Sequence, residues 1–238
     1  MLALALLVGL ALALRLVVWE WREFYPLGGD EREYFQQALT LLREWRYEEL
    51  RLMRPPLYGF FLAGSILLVD SLVQQLRLVQ AIISAATVVP IWLLTRELAR
   101  AYAAPRSVQT WAPLLAGVLC ALSYTLAVYA TELLTETLFL FGLSTLFWLL
   151  VRAAAPGPRR PLSAGGAGGV LALLCLTRSV ALVLLPLGAL WLLLARRDGW
   201  RLALPFALAA VLLVAPWTAR NVATYGGLII IDTTGGEN

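Results

Sequence analysis

The chain has 238 residues, 61% of them apolar, and a mean hydropathy of +0.78, against about 45–50% apolar residues in soluble domains. All 19 basic residues are arginine and there is no histidine. This excludes a lysine Schiff base, a histidine base and a histidine metal site, and leaves acid–base work to Asp, Glu, Tyr or Cys. The formal charge of +4 sits as arginines between apolar runs, which is a topology signal and not a nucleic-acid footprint.

The first apolar run, Leu2–Val18, ends at Trp19 and Trp21, residues suited to a membrane interface. No basic residue precedes it and no small-residue cleavage site stands before Arg15, so it reads as an uncleaved first span and not as a signal peptide. Residues 19–56 are polar and charged. Within them Tyr34, Phe35, Ala38, Leu41, Leu42 and Trp45 recur at helical spacing, which predicts a helix lying on the membrane surface. Leu57–Val69 is apolar but reaches only about 20 Å as a helix, short of a core about 30 Å thick. It is placed as a juxtamembrane or re-entrant helix.

Further spans are expected at Leu78–Leu94, Trp111–Ala130, Leu133–Val151, Ala164–Leu176, Val180–Leu194 and Leu202–Trp217. The glycines at 165, 166, 168 and 169 suit close helix packing. Cys120 and Cys175 lie in apolar runs and read as small buried hydrophobes. Leu228–Ile231 looks β-like, and the chain stops soon after it at Gly235-Gly236-Glu237-Asn238 with no tail composition, which reads as the N-terminal membrane portion of a longer protein.

Arginine placement orients the bundle. Linkers holding Arg96, Arg100 and Arg106, then Arg152, Arg159 and Arg160, then Arg196, Arg197 and Arg201, alternate with arginine-poor ones and are expected in the cytoplasm. This works only if Leu57–Val69 does not cross. The expectation is an all-α polytopic membrane protein of about seven spans with its N-terminus inside. Residues 19–77, the 131–136 turn, the region of Arg178 and everything after Trp217 then lie outside. The arginines of the first outer loop, among them Arg22, Arg43, Arg46 and Arg51, run against the simple rule.

That topology gathers most carboxylates on one side. Asp30, Glu31 and Glu33 follow Gly28-Gly29, and Glu132 and Glu136 stand four residues apart, on one face if helical. A carboxylate at the bilayer boundary, as Glu136 is, is costly and usually faces a partner or a wet cavity. The simpler reading of Asp30–Glu33 is a solvated first helical turn, where acids favour the helix dipole. Arg54-Pro55-Pro56 fixes a guanidinium near the surface, where it suits a phosphate or simply snorkels. Arg178 and the Pro216-Trp217-Thr218-Ala219-Arg220-Asn221 segment supply further cations. No Walker loop, dinucleotide fingerprint or Cys/His metal spacing is present.

Taken in order, these stretches resemble the GT-C glycosyltransferases of the family 39 and 83 type, which include protein O-mannosyltransferases, lipid A aminoarabinose transferases and RgtA-like enzymes. The matching pieces are Gly28-Gly29-Asp30-Glu31-x-x-Tyr34, Arg54-Pro-Pro-Leu-Tyr58, Arg77-Leu-Val-Gln80, Thr131 to Phe139, Thr177-Arg178, Pro216-Trp-x-x-Arg220-Asn221 and Thr234 to Asn238. The resemblance implies a GT-C helix bundle with juxtamembrane helices in the first outer loop (19–77). It also implies inverting transfer of a sugar from polyprenyl phosphate to a lipid, glycan or protein on the extracytoplasmic face of the inner or plasma membrane.

Asp30 matches the acid that activates the acceptor or helps hold a divalent metal, Glu136 a supporting acid, and Arg54 the donor-phosphate ligand. Tyr58, Glu31, Glu132, Arg178 and Arg220 are the implied substrate contacts. Asp30, Arg54 and Glu136 are accordingly expected to converge. The competing expectations are a lipid or sugar transporter, for which short broken helices and an intramembrane acid also suit, and a catalytically silent protein that binds the carrier lipid.

Overall fold

The computed structural model describes residues 2–22, 25–45, 47, 54–69 and 72–233. Their regular secondary structure is helical, with no strand among them. Helix α1 is Leu2–Trp21, α2 Gly29–Glu44, α3 Leu57–Val69, α4 Val73–Ala86, α5 Val88–Ala101, α6 Arg106–Ala121 and α7 Tyr124–Tyr129. Then come α8 Glu136–Ala154, α9 Arg160–Thr177, a 3-10 turn Ser179–Val183, α10 Leu184–Ala195 and α11 Trp200–Tyr225. Met53 and residues 234–238 lie outside the described residues. The chain divides into two compact units, Met1–Glu48 with Pro56–Phe141, and Glu49–Pro55 with Gly142–Asn238.

Among the described residues, 5 helical stretches are long and apolar enough to cross a membrane: Leu2–Trp21, Val73–Ala101, Glu136–Ala154, Arg160–Thr177 and Trp200–Tyr225. The second comprises α4 and α5, which meet at Thr87. Pro90 lacks the N–H that would bond back to Ala86, and its ring crowds that carbonyl, so the helix re-forms across the join with a tighter Thr87 N–H to Ser84 O bond of 3.3 Å. The expected span Trp111–Ala130 is interrupted. Helix α6 stops at Ala121, and extended Ser123 caps α7 by accepting the Leu126 N–H at 3.4 Å. The expected Val180–Leu194 span begins as a 3-10 turn and is a shorter apolar helix, Ser179–Ala195.

In the first unit, α1 packs on α4, α5, α6 and α7, and α2 packs on α3. Arg15, in the middle of α1, is fully buried. Its guanidinium donates to Ala121 O at 2.6 Å, Cys120 O at 3.1 Å and Ser84 Oγ at 3.1 Å. It therefore binds the last carbonyls of α6, at the negative end of that helix. Ser84 Oγ in turn donates to Leu126 O at 3.2 Å. One cation thus ties α1, α4, α6 and α7 together at the break in the expected span.

Helix α3 is a shorter apolar helix than the five membrane-length stretches. Its first turn places Tyr58 against Gln80 of α4, and its last residue, Val69, shares a core with Val73 at the start of α4. Both ends of α3 therefore lie along the first half of α4, as its length requires. The apolar face of α2 covers it, with Tyr34 and Ala38 buried. Trp45, expected on that face, is 85% exposed, because it adopts φ 53° as the left-handed cap that ends α2 and its side chain swings outward.

In the second unit α9 packs along α11, and α10 against α11. Gly168 makes the approach possible: a Cβ there would stand 2.0 Å from Phe206 O. The arginine-rich linkers meet at one end. Arg160 forks onto Asp198 at 3.1 and 3.2 Å, and Arg196 donates to Ala154 O at 3.2 Å. The Arg160 guanidinium, helped by Arg196, holds the Asp198 carboxyl below its usual range. At the other end of α11 the segment expected to be β-like forms no strand. Asn221, fully buried, donates to Ile229 O and Ile231 O at 3.2 and 3.1 Å, Thr218 donates to Ile230 O, and Trp217 donates to Ile231 O. Side chains of a helix, not a neighbouring strand, satisfy those carbonyls.

Candidate active site

A polar cluster occupies one end of the first unit, where α1 ends and α2, α3, α4 and α8 begin. Trp19 Nε1 donates to Gln74 O at 2.8 Å and Gln74 Nε2 donates back to Trp19 O at 3.0 Å, so the end of α1 and the start of α4 are level. Arg77, one turn further along α4 and buried, donates to Arg22 O and Tyr25 O, each at 3.1 Å. It closes the chain leaving α1 onto α4 and stands 3.6 Å from Glu31.

Glu31 is the centre of the cluster. Gly28 has extended backbone at the N-cap of α2, and its N–H donates to Glu31 Oε2 at 3.1 Å, the return half of a capping box. The other oxygen, Oε1, accepts the Leu133 N–H at 2.9 Å from the turn between α7 and α8. That turn is held from two more directions. Glu132 pairs with Arg22 at 3.0 Å, and Gln80 Nε2 donates to Glu132 O. Gln80 also accepts the Tyr58 hydroxyl at 2.9 Å, and Tyr58 meets Tyr34 edge-on with ring centroids 4.8 Å apart. Burial foremost, then Tyr34, Glu31 and Glu136, push the Tyr58 phenol well above its usual range. It stays protonated and serves as a donor.

The structure therefore brings Glu31, Glu132 and Tyr58 into one network together with Arg22, Arg77 and Gln80. Asp30 stands at the exposed first turn of α2, directly before Glu31, and Glu136 opens α8 three residues after Leu133, half-buried. Tyr58 is fully buried and engaged with Gln80. The other predicted cations belong to the second unit. Arg54 precedes the buried pair Pro55-Pro56. Arg178 is exposed, with extended backbone between α9 and the 3-10 turn. Arg220 stacks over Trp217 at 4.9 Å and Tyr225 at 5.4 Å and donates to Asn221 Oδ1 at 3.2 Å. Among the described residues no three side chains of metal-ligating type come together. Glu31, the acid next to Asp30, is taken up by Gly28, Leu133 and Arg77.

Sequence reasoning gave Arg77 and Gln80 no role of their own, and Arg15 none at all. An arginine inside an apolar run was the available signal for Arg15, since such a charge must find partners within the bundle.

The sequence profile of the dolichyl-phosphate-mannose-protein mannosyltransferase family matches residues 53–219. The chain belongs to that family. No curated protein and no solved structure matches it. This member of the mannosyltransferase family is thus a multi-pass membrane glycosyltransferase of the GT-C type. The matched stretch takes in Arg54, Tyr58, Arg77, Glu132, Glu136 and Arg178, and leaves Asp30, Glu31 and Arg220 outside it.

Proposed function

We propose that this glycosyltransferase moves a sugar from a polyprenyl-phosphate donor, with inversion, to a lipid, glycan or protein hydroxyl on the extracytoplasmic face of the inner or plasma membrane. The observation that carries the reading is the ion-paired end of the first unit. There, α2 presents an exposed carboxylate at Asp30, and the turn tied to α2 leads into Glu136. The family supplies the chemistry of the donor class.

In the reaction the acceptor oxygen attacks the anomeric carbon while the bond from that carbon to the phosphate oxygen breaks. Asp30 takes the acceptor proton, and polyprenyl phosphate leaves with the bonding pair. An exposed carboxylate suits this role, since an acceptor can reach it. Glu136 orients the acceptor. Arg54 binds the donor phosphate and offsets the charge that grows on it, which a forked guanidinium does well. Arg178 and Arg220 are further cations suited to an anionic donor, and Glu132, paired with Arg22, braces the turn before Glu136. Tyr58, being buried and bonded to Gln80, supports the cluster from within and does not touch substrate. The described residues bring no ligand set for a divalent ion to Asp30, and no step is routed through a metal.

The test uses the full chain in lipid nanodiscs with dolichyl-phosphate mannose as donor and radiolabelled transfer as readout. Asp30→Asn is expected to lower turnover by a factor on the order of 10² to 10⁴ with donor binding retained, and Arg54→Gln to raise the donor KM. Unchanged turnover in Asp30→Asn rejects the base assignment. Tight donor binding with no transfer by the wild-type protein favours the catalytically silent reading.

A further inference from the structure

Two acids that the resemblance implies as substrate contacts, Glu31 and Glu132, are engaged inside the protein, and Glu31 does more than pair. Glu31 uses both carboxylate oxygens, on two different segments. Oε2 receives the Gly28 N–H and so fixes the first turn of α2, the turn that carries Asp30. Oε1 receives the Leu133 N–H and so fixes the turn that runs into Glu136. The two segments are 102 residues apart in sequence. Arg77, 2% exposed, faces the same carboxylate at 3.6 Å, while Glu31 itself is 13% exposed. A charge held this way accepts two main-chain hydrogen bonds and meets one cation, which leaves little of it for a ligand.

We propose that Glu31 is the positioning residue of the site: it makes no contact with substrate and locks the α2 N-terminus to the 131–135 turn, so that Asp30 and Glu136 keep a fixed spacing. The inference rests on the roles proposed above for Asp30 and Glu136, but its structural half stands without them. Arg77 is the back of the same brace. It holds the chain between α1 and α2 through Arg22 O and Tyr25 O and sets its guanidinium beside the Glu31 carboxylate in a mostly buried place. Glu132, whose side chain goes to Arg22, steadies the turn from its other side.

Positioning and binding predict different kinetics. A lost substrate contact raises KM, whereas a loosened catalytic pair lowers kcat, and misplacement by about 1 Å is enough for a loss on the order of 100-fold. Glu31→Gln keeps one oxygen to accept the Leu133 N–H but loses the charge and one acceptor. Glu31→Ala keeps nothing.

The experiment runs hydrogen exchange and steady-state transfer side by side on the full chain in nanodiscs, with dolichyl-phosphate mannose as the probe. In Glu31→Ala, exchange at the amides of Gly28 and Leu133 is expected to rise together, while peptides of α9 and α11 exchange as in wild type. Glu31→Gln is expected to retain protection at Leu133. In transfer, kcat is expected to fall in the order wild type, Gln, Ala, with the donor and acceptor KM values within about twofold of wild type. Unchanged exchange at Leu133 in Glu31→Ala overturns the brace. A raised KM at wild-type kcat overturns the positioning role in favour of direct contact. If the wild-type protein transfers no sugar, the functional reading fails, and the exchange result still decides whether Glu31 joins the two segments.

Discussion

Replacing Gly168 by alanine sets a Cβ 2.0 Å from Phe206 O, 2.9 Å from Phe206 C and 3.1 Å from the Ala209 Cβ. A carbon normally comes no nearer a carbonyl oxygen than about 3.3 Å, so α9 and α11 must part by roughly 1 Å or more along their shared face. The obstruction is the Phe206 carbonyl with the Ala209 Cβ beside it, and no rotamer relieves it. Overpacking of this kind costs about 1–3 kcal/mol, and alanine's better helix propensity returns less than about 1 kcal/mol.

Gly165, on the same helix, has nothing within 4 Å of its Cβ position, and Gly169 meets only the Leu213 side chain at ordinary contact, 3.5 Å. Alanine at either should be neutral or slightly stabilising. For a chain of this size, each kcal/mol moves Tm by about 2–4 °C. Thermal unfolding in a mild detergent, followed by tryptophan fluorescence, should place Gly168→Ala several degrees below wild type and Gly165→Ala at or above it. Equal midpoints for the two variants would refute the claim that Gly168 sets the separation of α9 and α11.

Arg15→Met removes the cation that covers Ala121 O and Cys120 O and bonds Ser84. At about 0.6 kcal/mol for each interhelical bond in a bilayer, up to about 1.7, the loss is roughly 2 kcal/mol. Exchange of the α7 amides should rise in step with the drop in Tm, and unaltered exchange there would mean that α6 and α7 are held by packing alone. Asp198→Asn tests the arginine-rich end by its pH dependence. The Asp198 carboxyl is held below its usual range by Arg160, so its contribution is present above the unfolded value of about 3.9 and vanishes as pH falls through the folded value. Wild type should exceed the variant in Tm at pH 6, by a margin that salt reduces because the carboxylate is partly exposed, and the two should converge as pH falls through the folded value. A gap that persists at low pH would assign the difference to something other than this ion pair.

How far the site was legible follows from which residues had local signals. Gly28-Gly29 before a row of acids marked the start of α2, because glycine and acidic first-turn residues are local features of a helix N-terminus. The acids at 132 and 136 were assigned to the same end of the bundle as residues 19–77 from span lengths and arginine placement together, and the Arg22–Glu132 and Glu31–Leu133 contacts bring the two segments together. What each acid does was not legible. Asp30 and Glu31 are neighbours of equal charge, and only the fold makes one exposed and binds the other to a main-chain N–H 102 residues away.

Hydropathy and length alone determined that this chain is a bundle of membrane helices and that Leu57–Val69 is too short to cross, because burying apolar surface in a bilayer depends on the sum over a run and not on its partners. Charge between the runs likewise gathered the arginines of the second unit at one end. The break at Ser123, the buried Arg15 and the bracing of Glu31 were decided only in the tertiary structure. Each exists because a polar group taken out of water must find a specific partner, and the partners lie on other helices that no local pattern names.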